Sequence, residues 1–183
     1  MSEDTLPPHL GGQNGKSWTD DGALEVMWNL GCRKIIDVGC GLGGQVKLAE
    51  SLGWKSYGVD GDWTVLPKEG NFILNDYTEG SPVITEAVDL VWCVEFLEHV
   101  EEKFMDNYMK TFKDSQAKYL IVTHAVPGQG GHHHVNCQDE DYWFDAFGKY
   151  GFTHDKELTQ QIREASTMKK PFVATTGLVF KKD

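Results

Sequence analysis

The chain has 183 residues, of which 40% are hydrophobic and 25% are charged, as in an ordinary globular domain. Its 17 basic and 28 acidic residues give a formal net charge of −11. That charge disfavours non-specific binding to nucleic acid or to an anionic membrane, so we expect neither as a partner.

The compartment can be predicted from what the chain lacks. Its first residues are acidic and contain no apolar leader, and no apolar run approaches the ~18 residues that a membrane-spanning helix needs. The four cysteines form no C-x-x-C pair, so neither a zinc ribbon nor a thioredoxin motif is expected. These features predict a cytoplasmic protein without a membrane partner, and they leave its oligomeric state open.

The first 17 residues contain the Pro7-Pro8 pair and several glycines, which predicts a flexible arm. This arm is either a lid over a binding site or a frayed terminus. Residues 18–183 are predicted to form one domain, which begins with a helix over 21–30.

A glycine-rich stretch follows the first predicted strand, Ile35–Val38. It predicts a ligand site, because glycines let a ligand approach the backbone and the next helix offers free N–H groups. Gly39, Gly41 and Gly44 satisfy the G-x-G-x-x-G dinucleotide pattern, which leaves open an NAD-type oxidoreductase or a non-catalytic nucleotide-binding module. Asp37 favours a different ligand, since a carboxylate there would repel a pyrophosphate and suits an ammonium group.

Strands and helices alternate along the remaining chain. The predicted strands cover residues 54–60, 71–74, 88–94, 119–123, 152–158 and 172–180. The predicted helices run from Asp62 to about Pro67, from about Val100 to Phe112, from Gln138 or Asp139 to about 150, and around 159–168. This alternation predicts an α/β fold with a mostly parallel sheet and helices on both faces.

Polar residues follow several of these strands, at the edge where open parallel sheets bind ligands. Asp60, followed by Gly61, ends the second strand, and its two carboxylate oxygens can accept both hydroxyls of a ribose. Glu95, Glu98 and His99 follow the fourth strand at i, i+3 and i+4, the spacing of one helix face.

The pattern Asp37-x-Gly39-x-Gly41-x-Gly43 resembles motif I of the class I S-adenosylmethionine (SAM) methyltransferases, in particular the type 11/12 group. The resemblance implies a Rossmann-like fold with a seven-stranded, mostly parallel sheet and an antiparallel C-terminal strand. It also implies SAM as the cofactor. The cofactor-binding residues that we predict are Asp37, Gly39, Cys40, Gly41, Gly43, Asp60, Gly61, Asp76, Tyr77, Val94 and Glu95. In the family an acid after the third strand bonds the adenine amino group, and Asp76 has that place; an Asx turn is the alternative.

The segment Glu95-x-x-Glu98-His99 also resembles two metal-using branches of the superfamily, both of which methylate adjacent hydroxyls. The resemblance implies O-methylation of a small hydroxyl-bearing acceptor such as a sugar or vicinal diol. A Mg²⁺ or Zn²⁺ ion would then be held by Glu95, Glu98, His99 and His133. The alternatives are a metal-free base, for which we select His99, Glu95 and His133, or a segment that only packs. The pair Lys169-Lys170 is predicted to be a solvated turn.

Overall fold

The computed structural model describes residues 5–12 and 15–182; the predictions for residues 1–4, 13, 14 and 183 lie outside it. The strands are β1 Lys34–Val38, β2 Lys55–Asp60, β3 Phe72–Leu74, β4 Leu90–Cys93, β5 Tyr119–Val122, β6 Phe152–His154 and β7 Leu178–Lys182. The helices are α1 Asp21–Asn29, α2 Gly44–Ser51, α3 Met105–Asp114, α4 Glu140–Gly148, α5 Lys156–Ala165 and α6 Phe172–Thr176. Short 3-10 turns at Leu97–His99 and Glu102–Phe104 precede α3.

All seven strands form one sheet in the order β3-β2-β1-β4-β5-β7-β6. Neighbouring strands from β3 to β5 pair in parallel, whereas β7 is antiparallel to both β5 and β6. This topology confirms the predicted Rossmann-like methyltransferase fold with an antiparallel C-terminal strand. Since parallel strands share a direction, the residues that follow β1 to β5 meet at one edge of the sheet.

The sheet separates two apolar cores, because successive strand residues point to opposite faces. Ile35 of β1 packs in a core with residues of α1, α2 and α5. Its neighbour Ile36 packs in the other core with residues of α3 and α4. Both faces of the sheet are therefore covered by helices, as the alternation of strands and helices in the sequence predicted.

Three predicted elements differ from the structure. Asp62 begins a turn rather than a helix, because its Oδ1 accepts from both the backbone N–H (2.9 Å) and the hydroxyl (2.5 Å) of Thr64. The strand predicted over 152–158 ends at His154, since Asp155 caps α5 by accepting from the N–H of Leu158 at 3.0 Å. The strand predicted over 172–180 begins instead as helix α6, and β7 starts only after Gly177.

Within the described residues, no helix is both long enough and apolar enough to cross a lipid bilayer.

Candidate functional site

The glycine-rich turn after β1 is held by β2. The N–H groups of Gly39 and Cys40 both donate to the carbonyl of Val59, at 2.9 and 3.1 Å. Gly39 has a φ of 82°, and a Cβ at this position would lie 2.6 Å from the ring of Phe96. Both its backbone conformation and its close approach to Phe96 therefore require glycine.

A cavity of about 380 Å³ opens at this edge of the sheet. Ten of the eleven predicted cofactor-binding residues line it: Asp37, Gly39, Cys40, Gly41, Asp60, Gly61, Asp76, Tyr77, Val94 and Glu95. Gly43, the eleventh, is not among the residues that line the cavity. It forms the N-cap of α2 with a φ of 71°, and a Cβ there would meet the ring of Phe72 at 2.6 Å. Gly43 is thus needed for packing against β3.

Two of the carboxylates that line the cavity, those of Asp37 and Asp60, are buried. Asp60 is oriented by the backbone, since its Oδ2 accepts from the N–H of Gly41 at 2.7 Å and its Oδ1 from the N–H of Asp62 at 2.8 Å. Burial raises the pKa of Asp60. The pKa of Asp37 is raised well above its usual range, first by burial and then by the charge of Asp60. The site thus favours a cationic group beside Asp37, which would relieve this repulsion.

The N-terminal arm covers part of the same cavity. His9 Nε2 donates to Asp76 Oδ2 at 2.7 Å, and Leu10 approaches Gly61 closely enough to meet a Cβ there at 2.7 Å. Asp76 Oδ1 already accepts from both the N–H and the hydroxyl of Thr78, each at 2.8 Å. Asp76 therefore forms the predicted Asx turn and also faces the cavity, so the two interpretations of this residue are compatible.

Glu95 has an unusual backbone conformation at the cavity wall. Its φ of 56° lies in the left-handed region, and its N–H donates to Thr123 Oγ1 at 2.8 Å. The Thr123 hydroxyl in turn donates to Glu95 Oε1 at 3.3 Å. Burial raises the pKa of Glu95 to about 7. The arrangement gives a carboxyl group that can exchange a proton near neutral pH.

Glu98 is fully buried, and neither of its carboxylate oxygens has a hydrogen-bond partner among residues 5–12 and 15–182. Burial, followed by the charge of Glu95, raises the pKa of Glu98 to about 8. One carboxylate oxygen of Glu98 and one ring nitrogen each from His99 and His134 lie within 4.8 Å of one another. An unpartnered buried carboxylate beside two imidazoles is chemically suited to hold a divalent cation.

Glu95 does not belong to this cluster. The segment from Glu95 to His99 does not form one helix face as predicted, because only Leu97–His99 forms a 3-10 turn and Glu95 lies outside it in the left-handed conformation.

His99 Nδ1 is 2.7 Å from the carbonyl of His132, which assigns the proton to Nδ1 and leaves Nε2 as the free acceptor. Burial lowers the pKa of His99 to about 4, so its imidazole is neutral at physiological pH.

His133 was selected as a base and as a metal ligand, and the structure places it elsewhere. His132 and His134 line the cavity and His133 does not. His133 adopts a left-handed φ of 46°, and its ring centroid lies 6.2 Å from that of His9. His134 takes the predicted place of His133 beside Glu98 and His99.

Among the lining residues that the sequence did not identify are Trp18, Lys170 and Phe172, and Lys170 lies at the cavity although Lys169-Lys170 is predicted to be a solvated turn. They come from either end of the described chain, and no strand-end pattern marks them. The sequence did offer one signal for Lys170 and Phe172. The last strand is predicted to be antiparallel, so it must start at the edge where the other strands end, and the residues just before it must lie near that edge. The register confirms this, because Leu178 pairs with Val122 at the end of β5.

Residues 36–115 match a family model described as a methyltransferase domain. A search of curated protein sequences gives no match. Among solved structures, the chain is similar to a TehB-like SAM-dependent methyltransferase from Corynebacterium glutamicum, with 17% identity over 88% of each chain and a TM-score of 0.62.

Two further structures give the same result. Magnesium protoporphyrin IX methyltransferase (ChlM) from Synechocystis with bound SAH has 16% identity, a TM-score of 0.61, and covers 89% of this chain and 82% of its own. The methyltransferase domain of bacterial CtHen1-C has 18% identity, a TM-score of 0.60, and covers 88% of this chain and 95% of its own. At these identities the likeness establishes the Rossmann-like methyltransferase fold.

Proposed function

We propose that this chain, which has the Rossmann-like fold of the class I methyltransferases, transfers a methyl group from SAM to a small hydroxyl-bearing acceptor. The observation that carries the proposal is one cavity faced by the carboxylates of Asp37, Asp60, Asp76 and Glu95. They stand at or just after the ends of β1 to β4, above a glycine turn that leaves room for a ligand against the backbone.

The cofactor would be held by groups that match its chemistry. Asp37 suits its ammonium group, and Asp60 suits its ribose hydroxyls because two backbone N–H groups fix the orientation of its carboxylate. Asp76 would accept from the adenine amino group, and Tyr77, which also lines the cavity, would pack beside the ring. When bound, SAM supplies the methyl group together with its sulfonium leaving group.

Glu95 is the residue that we assign to remove the acceptor's proton. A hydroxyl acceptor loses its proton during methylation, and a positioned base contributes roughly 10²–10⁴ in rate. A pKa of about 7 leaves Glu95 ionised in a large fraction of molecules at neutral pH while keeping it basic. His99, whose pKa of about 4 makes it a weaker base, is assigned to orient the acceptor through Nε2.

The acceptor that we favour is a sugar or a vicinal diol. Glu95 and His99 both line the cavity, so each could bond to one of two adjacent acceptor oxygens. Aromatic rings at the same cavity, those of Trp18 and Phe172, offer apolar contact to the carbon skeleton of such an acceptor.

A second candidate is metal-assisted methylation, favoured by the buried and unpartnered carboxylate of Glu98. Glu98, His99 and His134 would hold the ion, and it would supply Lewis acidity toward an acceptor hydroxyl. Two imidazoles and one carboxylate suit Zn²⁺ better than Mg²⁺, which prefers oxygen ligands.

The test is calorimetric titration of S-adenosylhomocysteine (SAH) into chelator-treated protein, repeated with NADH as the ligand. We expect micromolar binding of SAH and none of NADH, because Asp37 beside the glycine turn repels a pyrophosphate. Asp37→Asn and Asp60→Asn are expected to weaken SAH binding at least tenfold, since each removes charge-assisted hydrogen bonds worth about 1.5–3 kcal/mol. Asp141→Asn, at an exposed position on α4, is the matched control. Unchanged SAH affinity in both site variants would contradict the proposal.

A further inference from the structure

Lys170 has an unusual place for an exposed lysine. It lines the cavity, although it belongs to the connection between α5 and α6. Its Nζ lies over the ring of Trp18 at 5.3 Å from the centroid and over the ring of Phe172 at 5.5 Å. The two rings meet edge to face with centroids 6.3 Å apart. Together the rings hold the ammonium group at the cavity rather than leaving it in bulk solvent.

The charge of Lys170 is not neutralised by a neighbour. Within residues 5–12 and 15–182, its ammonium group forms no ion pair with a carboxylate. Its charge nevertheless acts inside the site, since it lowers the pKa of Glu95 against the larger effect of burial. A cation that faces a cavity without an ionic partner is available to a ligand.

The other charged groups of the cavity are mostly acidic. Asp37, Asp60, Asp76 and Glu95 line it, whereas the lysines that line it are Lys16 and Lys170. An anionic group of a ligand would be repelled by most of this surface and attracted to these two side chains. Of the two, Lys170 is the one with its Nζ over aromatic rings.

We propose that Lys170, held against Trp18 and Phe172, is the carboxylate-binding residue of the cavity. This inference rests on the proposed function. The carboxylate has two possible sources, which share the same chemistry. One is the α-carboxylate at the amino acid end of the cofactor, whose ammonium group we assign to Asp37. The other is a carboxylate carried by the acceptor beside its methylated hydroxyl, close to Glu95.

The experiment measures binding by calorimetry with probes that separate the two sources. For the cofactor, SAH is compared with 5′-methylthioadenosine, which lacks the amino acid end. For the acceptor, SAH-loaded protein is titrated with 2,3-dihydroxybenzoate and with catechol, a pair of vicinal diols that differ only in the carboxylate. Each titration is made with the wild type, Lys170→Gln and Lys170→Arg.

The matched control is Lys169→Gln, which makes the same charge change one residue away, at a side chain that does not line the cavity. Lys16→Gln tests the competing lysine. Because Lys170 is exposed, its variants are expected to melt like the wild type, and a thermal melt of each verifies this.

If the cofactor supplies the carboxylate, Lys170→Gln weakens SAH at least about tenfold and leaves 5′-methylthioadenosine unchanged. If the acceptor supplies it, SAH is unchanged, and binding of 2,3-dihydroxybenzoate is lost while that of catechol is not. In either case Lys170→Arg retains most of the affinity and Lys169→Gln retains all of it.

The inference is overturned if the wild type binds SAH and Lys170→Gln alters neither carboxylate probe, or if only Lys16→Gln does so. Failure of the wild type to bind SAH is a different result. It removes the proposed function and this inference together.

Discussion

His9 Nε2 lies 2.7 Å from Asp76 Oδ2, so the N-terminal arm contacts the acid to which we assign the adenine amino group. The other oxygen of Asp76 is already bonded twice by Thr78. If Asp76 binds the adenine amino group as we propose, that group and His9 would share Oδ2, and we predict that they compete for it.

Removal of His9 is thus expected to strengthen cofactor binding. In His9→Ala, the affinity for SAH should rise about two- to fivefold, because a partly buried His–Asp contact of this kind contributes about 1 kcal/mol. Calorimetry with SAH measures the effect. Asp76→Asn should lower the affinity in the same assay, and a loss of affinity in His9→Ala would mean that the arm contributes to the site instead of competing for it.

Gly39→Ala should destabilise the fold and the cofactor site together. The new Cβ would lie 2.6 Å from the ring of Phe96, and an alanine would have to adopt a backbone φ of 82°. Together these changes should cost about 1–3 kcal/mol of stability. Chemical denaturation measures the change. Gly148→Ala on α4 is the control, because a Cβ there meets nothing within 4 Å, and helix propensity predicts a stability equal to or greater than that of the wild type. Equal stability of the two variants would contradict the required close approach at Gly39.

The ionisation of Glu95 should depend on Thr123. The Thr123 hydroxyl donates to the carboxylate and so lowers a pKa that burial raises to about 7. Thr123→Val removes this donor, and the pKa of Glu95 should rise further. Carboxyl carbon NMR of ¹³C-labelled protein, with Glu95→Gln used for assignment, measures the titration without an acceptor. In a methylation assay, the rate should increase with pH through the same midpoint and shift upward in Thr123→Val. An unshifted titration would show that the hydroxyl does not bond to the carboxylate.

Glu98 should make the metal-free protein less stable as the pH rises. The pKa of Glu98 is about 8 in the folded state, whereas its ordinary value is 4.5. The folded state therefore binds the proton more tightly, and the free energy of unfolding falls as the pH rises from about 4.5 to about 8. Glu98→Gln should remove this dependence and gain about 2–5 kcal/mol over the wild type at pH 9. Denaturation at pH 5 and pH 9 measures the difference, and equal gains at both pH values would contradict the assignment to Glu98.

A cation should reverse the effect of Glu98. If Glu98, His99 and His134 hold Zn²⁺, adding it should raise the melting temperature of the wild type and not that of Glu98→Gln or His134→Ala. His133→Ala is the matched control within the same loop, and it should respond like the wild type. A Zn²⁺ response that depends on His133 and not on His134 would contradict the arrangement.

The cavity's main acids could be predicted from the sequence because they obey a topological rule. Asp60 ends β2, and Asp76 and Glu95 come shortly after β3 and β4; these strands run in parallel, and parallel strands end at one edge. His133 and His134 could not be separated in this way, since adjacent histidines are chemically identical. The left-handed φ of 46° at His133 determines which of the two rings reaches the cavity, and no sequence pattern specifies that angle.

The positions of Trp18 and Lys170 at the cavity could not be predicted from the sequence, for a different reason. Trp18 and Lys170 are far apart in the chain, and they meet because the segment before α1 packs beside the connection that leads into α6. The apolar run from Phe172 to Phe180 has the composition of a strand, so α6 was missed. Its five residues form a short helix that Pro171 precedes and Gly177 ends.

The position of β7 between β5 and β6 has a kinetic consequence. Among the described strands, β6 pairs with β7 alone, and β7 follows it in the chain after the whole of α5 and α6. β6 therefore joins the sheet through residues 178–182, whose other edge pairs with β5. Since α5 and the connection that carries Lys170 lie between these two strands, we expect the Lys170 side of the cavity to form late during folding. The glycine turn and the acids after β1 to β4 are expected to form earlier.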